Sequence, residues 1–250
     1  MASLTITPGR ALTGTITVPG DKSVTHRAII LTSLAEGESQ LSSYCRGEDC
    51  LNTMRAFQAL GIQIEEQPDV LLVHGKGMWG LREAAAPIDC GNSGTGTRLL
   101  TGLLAGQDFF TILTGDESIR RRPMGRIVKP LREMGAVIAG RKGGELAPLA
   151  ITGTRLHGIE YSSPVASAQI KSALLFAGLF AEVGYGLFNC CKRHAVGIAD
   201  HGNHKALLGA HGDAEVVVVL VNQIIAVNFG VDGRYILQGL DHGLGKEAHE

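Results

Sequence analysis

Three stretches of this chain share one pattern, a polar start containing Ser followed by an apolar helical run, and they recur at a nearly fixed interval. They are Asp21-Lys22-Ser23-Val24-Thr25-His26-Arg27 before Ala28–Ala35, Gly91-Asn92-Ser93-Gly94-Thr95-Gly96-Thr97-Arg98 before Leu99–Ala105, and Val165-Ala166-Ser167-Ala168-Gln169-Ile170-Lys171 before Ser172–Phe180. Ser23, Ser93 and Ser167 lie 70 and 74 residues apart. Each is followed by a second helical run that stops at glycine and passes into a strand-like segment: Glu48–Leu60 then Gly61, Arg122–Met134 then Gly135, and more weakly Asp200–His211 then Gly212. Glycine past the last helical turn is the usual C-terminal stop. A period of 70 to 77 residues within 250 leaves room for three units and excludes most other architectures.

Strands are predicted at Leu4–Thr7, Gly14–Val18, Ser39–Leu41, Ile62–Glu65, Val70–His74, Phe110–Thr114, Ala136–Ala139, Leu149–Thr152, Val216–Val221 and Ile224–Val227. Alternation of these with the helices predicts an α/β fold built of βαβ-type units. The reading is one domain over 1–250, with units near 14–80, 81–150 and 151–240 and the last unit divergent after 182.

A helix N-terminus presents unpaired N–H groups and partial positive charge, which suits phosphate or carboxylate. Lys22, Arg27, Arg98 and Lys171 fall in the first turns of the three helices, where a cation opposes the dipole, so they point to an anion site. The alternative for each Ser is a plain N-cap. Arg120-Arg121-Arg122-Pro123 is predicted to open another helix, with Pro in the first turn. Arginine suits bidentate contact with phosphate or carboxylate, and the alternative for this run is a solvated turn. Gly91–Gly96 lacks the Lys-Ser/Thr ending of a P-loop and the acidic context of a dinucleotide site.

The net charge of -1 gives no general field for nucleic acid or an anionic membrane, so neither is expected as a partner. No apolar run approaches the roughly 20 residues a membrane helix needs. Five cysteines at irregular spacing suggest no disulfide framework and a reducing cytoplasm. Cys190, Cys191, His194, His201, His204 and His211 raise the question of a metal, but their spacing matches no closed zinc pattern, and no metal is expected.

Four segments, in order, resemble the signatures of the 5-enolpyruvylshikimate-3-phosphate synthase family: Pro19–Arg27, Gly91–Arg98, Leu113-Thr114-Gly115-Asp116 through Arg122-Pro123-Met124, and Ser167–Leu175. The resemblance is continuous from about Leu4 to Glu182 and is closest to the bacterial, glyphosate-insensitive branch. The UDP-N-acetylglucosamine enolpyruvyl transferases share the fold but not the Asp-Lys-Ser…His-Arg or Arg-Arg-Pro-Met wording. The resemblance implies the N-terminal lobe of an inside-out α/β barrel, with three βαβαββ-like units and parallel helices whose N-termini face an interlobe cleft. It implies transfer of the enolpyruvyl group of phosphoenolpyruvate to shikimate 3-phosphate, with no cofactor and glyphosate as a ligand of the same site. By motif position Lys22, Arg122 and the backbone near Gly94 would contact phosphoenolpyruvate. Ser23, Arg27, Ser167, Ala168 and Gln169 would hold shikimate 3-phosphate; Asn92 and Asp49 would line the site; Arg98 would shape the Gly-rich turn and add positive potential. Lys22, Arg122 and Asp49 are the catalytic candidates.

The chain departs from the family in two ways. The family's proton-shuttling carboxylates belong to a second, C-terminal lobe, so a complementary lobe is implied as partner. After Glu182 the resemblance fades, and Ile198-Ala199-Asp200-His201 stands where a Ser-Arg-Asp-His segment is expected. A non-catalytic substrate-binding lobe, or an interaction module built on the repeat, are therefore the alternatives. Gly94 leaves room in the phosphoenolpyruvate site, and Leu99 stands where glyphosate-sensitive relatives often carry Pro.

Overall fold

The computed structural model describes residues 19–182 apart from 69 and 160, and beyond them only the backbones of strands between 187 and 237. The strands expected at Leu4–Thr7 and Gly14–Val18 lie outside the described residues.

The first part of the chain runs α1 (Lys22–Leu34), β1 (Glu36–Ser42), α2 (Glu48–Ala59), β2 (Gln63–Glu66) and β3 (Val70–Lys76). The next runs β4 (Ile88–Asp89), α3 (Gly94–Ala105), β5 (Phe110–Thr114), α4 (Glu117–Arg121), α5 (Gly125–Glu133), β6 (Val137–Gly140), the single turn α6 (Arg141–Gly144) and β7 (Leu146–Thr152). Then come β8 (Leu156–His157), β9 (Tyr161–Ser162), α7 (Ala168–Gly178) and β10 (Ala181–Glu182).

Two antiparallel triplets are wired alike. β3 pairs with both β1 and β2, giving the order β1-β3-β2, and β7 pairs with both β5 and β6, giving β5-β7-β6. The second sheet also carries β4, parallel to β5. Inward residues of both sheets, Ile64, Leu71 and Val73 in one and Leu113, Ile138, Leu149 and Ile151 in the other, are buried in one core with the helices. Gly61 and Gly135, past the ends of α2 and α5, take φ of +89° and +94°. The following amides, Ile62 and Ala136, reach back to the Phe57 and Leu131 carbonyls, both at 3.0 Å.

At the centre lies α3. Its start, Gly-Thr-Gly-Thr, is poor helix material, and three glycines in the helix cost about 1 kcal/mol each. Leu99, Leu100, Leu103 and Leu104 are all at most 1% exposed. Full burial of a Leu contributes about 1.5–3 kcal/mol, so packing outweighs propensity here. The neighbour α7 runs beside α3 in the same direction. Contacts pass from Thr95 to Gln169, from Gly102 to Ala173 and from Gly106 to Phe180, in nearly constant register. A methyl on Gly102 would strike the Ala173 carbonyl and stand 2.8 Å from its Cα, so the two backbones touch where only glycine fits.

His26 joins α1 to α2. It is fully buried, its Nδ1 lies 2.8 Å from Thr53 Oγ1, and its Nε2 has no protein partner. Burial lowers its pKa from 6.5 to about 4, with Lys22 and Arg27 adding to the effect and Asp49 opposing it.

Three sequence expectations need correction. The helix predicted to open at Arg120–Pro123 and run to Met134 begins only at Gly125 as α5; a separate short helix, α4, capped by Asp116, precedes it, and Arg122 between them is extended (φ -73°, ψ 137°). A residue preceding proline is pushed out of the helical region, so Pro123 sits in the break, not in a first turn. Arg120 and Arg121 accordingly end α4. The cap of α1 is Asp21, whose Oδ1 accepts from Val24 N at 2.7 Å; Ser23 lies inside the helix. Finally, Asp200–His211 is not helical.

That last region contributes to a five-stranded sheet. Strands β11 (Leu187–Asn189), β12 (Ala195–His201), β13 (His204–His211) and β14 (Glu215–Leu220) are antiparallel neighbours in sequence, with β9 parallel to β11. β15 (Val227–Phe229) and β16 (Tyr235–Leu237) form a separate pair. Gly202-Asn203 between two strand-capable runs is a hairpin signal that the helical reading passed over. The side chains of Cys190, Cys191 and the later histidines lie outside the described residues.

Gly102→Ala should gain about 1 kcal/mol of helix propensity and lose more to the backbone clash, typically 1–3 kcal/mol for overpacking. We expect net destabilisation, measured by urea unfolding; a neutral or stabilised variant would show that α3 and α7 can separate. Because the folded pKa of His26 is depressed, its neutral form stabilises the fold above the unfolded pKa near 6.5 and that stability is lost as pH falls towards 4. The loss reaches on the order of 3 kcal/mol. His26→Gln should flatten the pH dependence of the melting temperature in that window.

Candidate functional site

The first turns of four helices meet at one end of the domain. Between α1 and α2, Lys22 Nζ pairs with Asp49 Oδ2 at 2.9 Å. Between α1 and α7, the Arg27 guanidinium donates to Ser172 Oγ at 2.7 and 3.2 Å and to the Ala168 carbonyl at 3.5 Å. Between α7 and α3, Gln169 Nε2 donates to Thr95 Oγ1 at 2.9 Å. Between α3 and α2, the position of a Cβ on Gly96 lies 2.7 Å from Thr53 Oγ1. These contacts form a closed circuit, so the helices' positive ends are gathered together.

Local sequence explains why the helices start there. Ser93 is fully buried and its hydroxyl accepts from Gly96 N at 3.0 Å; Ser167 accepts from Ile170 N at 3.4 Å. Both are therefore N-caps, the alternative that the sequence left open for each of these serines. Ser23 is exposed beside Lys22, and its carbonyl accepts from Arg27 Nη1 at 2.8 Å.

A second cluster forms over the start of α3. The place a Cβ would occupy on Gly94 is 2.7 Å from Arg122 Nη1 and 2.8 Å from Arg98 Nη1. Arg98 is held by the carbonyls of Gly94 (3.0 Å) and Pro123 (3.2 Å), while Arg122 is exposed, donates to Ser118 Oγ at 3.4 Å and feels the Asp116 carboxylate. Burial, then repulsion from Arg122 and Arg126, lowers the Arg98 pKa. Arg98 and Arg122 thus stand together over Gly94, and like charges this close repel. The Lys22 pKa is raised, first by its hydrogen bond to Asp49 and then by that carboxylate's charge, so Lys22 stays cationic.

Nearby carboxylates are committed to the backbone. Asp21 and Asp116 cap helices, and Asp89 accepts from Gly91 N at 2.8 Å. Hydrogen bonds from the Ile119 and Ser118 amides hold Asp116 below the usual carboxylate range. Asp49 is bound to Lys22. Asn92 is exposed in the turn before α3, and Lys171 is half-buried in the first turn of α7. Sequence reasoning missed Thr53, Thr95 and Ser172, which carry the links between helices; no spacing signal marks them. Arg126 could have been found, since it follows Arg122 by four residues. Among the described residues no group of acidic, His or Cys side chains is arranged to hold a metal ion.

Residues 6–193 match the family model of EPSP synthase (3-phosphoshikimate 1-carboxyvinyltransferase). Similar proteins named 3-phosphoshikimate 1-carboxyvinyltransferase include those of Geobacter sulfurreducens, 58% identical over 182 residues, and Pelobacter propionicus, 55% identical over 182 residues. Each alignment covers 73% of this chain and 42% of the relative, so the chain spans less than half the length of the curated relatives it matches. Two solved structures of EPSP synthase from Acinetobacter baumannii superpose with TM-scores of 0.68 and 0.70, at 47% and 41% identity, over 70% and 79% of this chain and 40% and 48% of theirs. The motifs, the mixed α/β fold and these matches agree, and the chain belongs to the EPSP synthase family.

Proposed function

We propose that this chain forms the phosphate- and carboxylate-binding half of a 3-phosphoshikimate 1-carboxyvinyltransferase, built of three βαβαββ-like units and completed by a second lobe. The observation that carries this reading is the convergence of Lys22, Arg27, Arg98 and Arg122 on the joined N-termini of α1, α3 and α7. Phosphoenolpyruvate and shikimate 3-phosphate each bear a phosphate and a carboxylate. Bringing them together requires fixed cations at short range.

In this reading Arg122 and Lys22 hold phosphoenolpyruvate, with its anionic end over Gly94, where the absent side chain leaves space between Arg98 and Arg122. Ser23, Arg27, Ser167, Ala168 and Gln169 hold shikimate 3-phosphate, and Asn92 lines the cleft. The methylene carbon takes a proton as the double bond opens and the 5-hydroxyl, losing its own proton, adds to the carbon bearing the phosphate; phosphate then leaves with loss of a methyl proton, which restores the double bond, and Lys22 and Arg122 stabilise the charge that moves onto the phosphate. Holding both substrates in reactive geometry supplies much of the remaining acceleration. Asp49 sets the Lys22 ammonium in place. Proton transfer belongs to carboxylates of the complementary lobe, because those near this cluster are already bonded. Glyphosate, also an anionic phosphonate and carboxylate, fits the phosphoenolpyruvate end. The reaction calls for no cofactor, and the cytoplasm is its natural compartment.

Calorimetric titration with shikimate 3-phosphate, with and without phosphoenolpyruvate, tests this reading while phosphate release is assayed. Binding is expected from the chain alone, and release only after a C-terminal lobe is added; absence of binding overturns the assignment. Lys22→Ala should weaken binding roughly 10- to 100-fold, the cost of one charged hydrogen bond. Its effect on stability should stay below about 1 kcal/mol, because the Lys22–Asp49 pair is exposed. Equal losses in both would make Lys22 structural. Arg27→Ala should lower the melting temperature as well, since it also removes the bridge to Ser172.

A further inference from the structure

Two thiols meet at the corner where α1 joins α2. Cys45 lies three residues before the first residue of α2 and is half-buried; Cys50 lies in the first turn of α2 and is 1% exposed. The Cys50 amide donates to the Gly47 carbonyl at 2.9 Å, and after burial the neighbouring Cys45 sulfur adds to raising the Cys50 pKa. Each is also tied to its surroundings. Cys45 Sγ accepts from Gly47 N at 3.4 Å, the Cys45 amide donates to Thr25 Oγ1 at 2.9 Å, and Cys50 Sγ donates to the Lys22 carbonyl at 3.5 Å. The pair is therefore fixed against the residue that carries the site's first cation. Cys90, the other described cysteine, is also buried.

We propose that Cys45 and Cys50 are a reversible oxidation site, closing to a disulfide in the presence of a peroxide and weakening anion binding at the Lys22–Asp49 corner. Solvent access divides the roles. The Cys45 thiolate, beside the Gly47 amide at the start of α2, attacks a peroxide oxygen; the O–O bond breaks, a sulfenic acid forms and water leaves. Cys50 sulfur then attacks Cys45 sulfur, the S–S bond forms, and the S–O bond breaks. The departing hydroxide takes the Cys50 proton and leaves as a second water. Two thiols have lost two electrons and two protons, and the peroxide is reduced to water. In the reduced protein burial pushes the Cys50 thiol up to about 12, so at neutral pH it keeps its proton and its bond to Lys22. Oxidation removes that donor and draws the start of α2, with Asp49, towards Cys45. The effect on binding rests on the function proposed above; the disulfide does not.

The test uses hydrogen peroxide, alkylation of remaining thiols, and a non-reducing tryptic digest read by mass spectrometry. Cleavage after Arg46 leaves Cys45 in peptide 28–46 and Cys50 in peptide 47–55. A cross-linked species lighter than the two peptides by two hydrogens, and lost on reduction with dithiothreitol, is expected. Unlinked peptides, a link to another cysteine, or sulfinic Cys45 beside an alkylated Cys50 overturn the proposal. Cys50→Ser should leave a Cys45 sulfenic acid that dimedone traps; no adduct overturns the role of Cys45. Oxidised chain should bind shikimate 3-phosphate roughly tenfold more weakly, recovering on reduction. Unchanged affinity with the link present refutes the coupling to the site. If reduced chain does not bind that ligand, the assigned substrate fails while the mass measurement still decides the disulfide.

Discussion

Helices laid side by side with the same polarity bring like partial charges together, and here that arrangement is forced at α3 and α7 by direct backbone contact. The glycine at 102 lets the two axes approach; the matching register of the contacts at Thr95 and Gly106 then fixes both starts at one level. Side chains relieve part of the resulting positive field. Asp21, Ser93 and Ser167 accept amide hydrogens at the three helix starts. Yet the same end also carries Lys22, Arg27, Arg98 and Arg122. Packing energy in the leucine core thus holds a cluster of charge that would disperse if the helices were free.

Asp49 and the two arginines at Gly94 answer that charge differently. Asp49 neutralises Lys22 locally and orients it. Arg98 is locked by two carbonyls, while the Arg122 guanidinium makes a long hydrogen bond to Ser118.

Much of this was legible in the residues. The helix starts at Lys22, Gly94 and Ala168, the glycine stops at 61 and 135, and the strands around Phe110–Thr114 follow from local chemistry: caps, left-handed glycine and β-branched alternation. The break at Pro123 was misread because its position was weighed without the competing cap at Asp116 and the constraint on Arg122. The strand expected at Val216–Val221 is β14, but β12 and β13 were misread because a helical period was sought where Gly202-Asn203 marked a hairpin. The bridging hydroxyls of Thr53, Thr95 and Ser172 were not legible at all. Their significance lies in which helix each one faces, and a serine or threonine that links two elements looks, in sequence, like any other.

The bond from Arg27 to Ser172 spans 145 residues. During synthesis α1 emerges early, with its arginine turned towards a partner that does not yet exist. Neighbouring pairs, α1 with α2 and α3 with its sheet, can form as the chain lengthens. The gathered end cannot, because α7 supplies the last two links of the circuit. A nascent chain halted anywhere short of α7 would hold its core partly folded and its cations uncollected, so the gathered charge would arise late and abruptly with chain length.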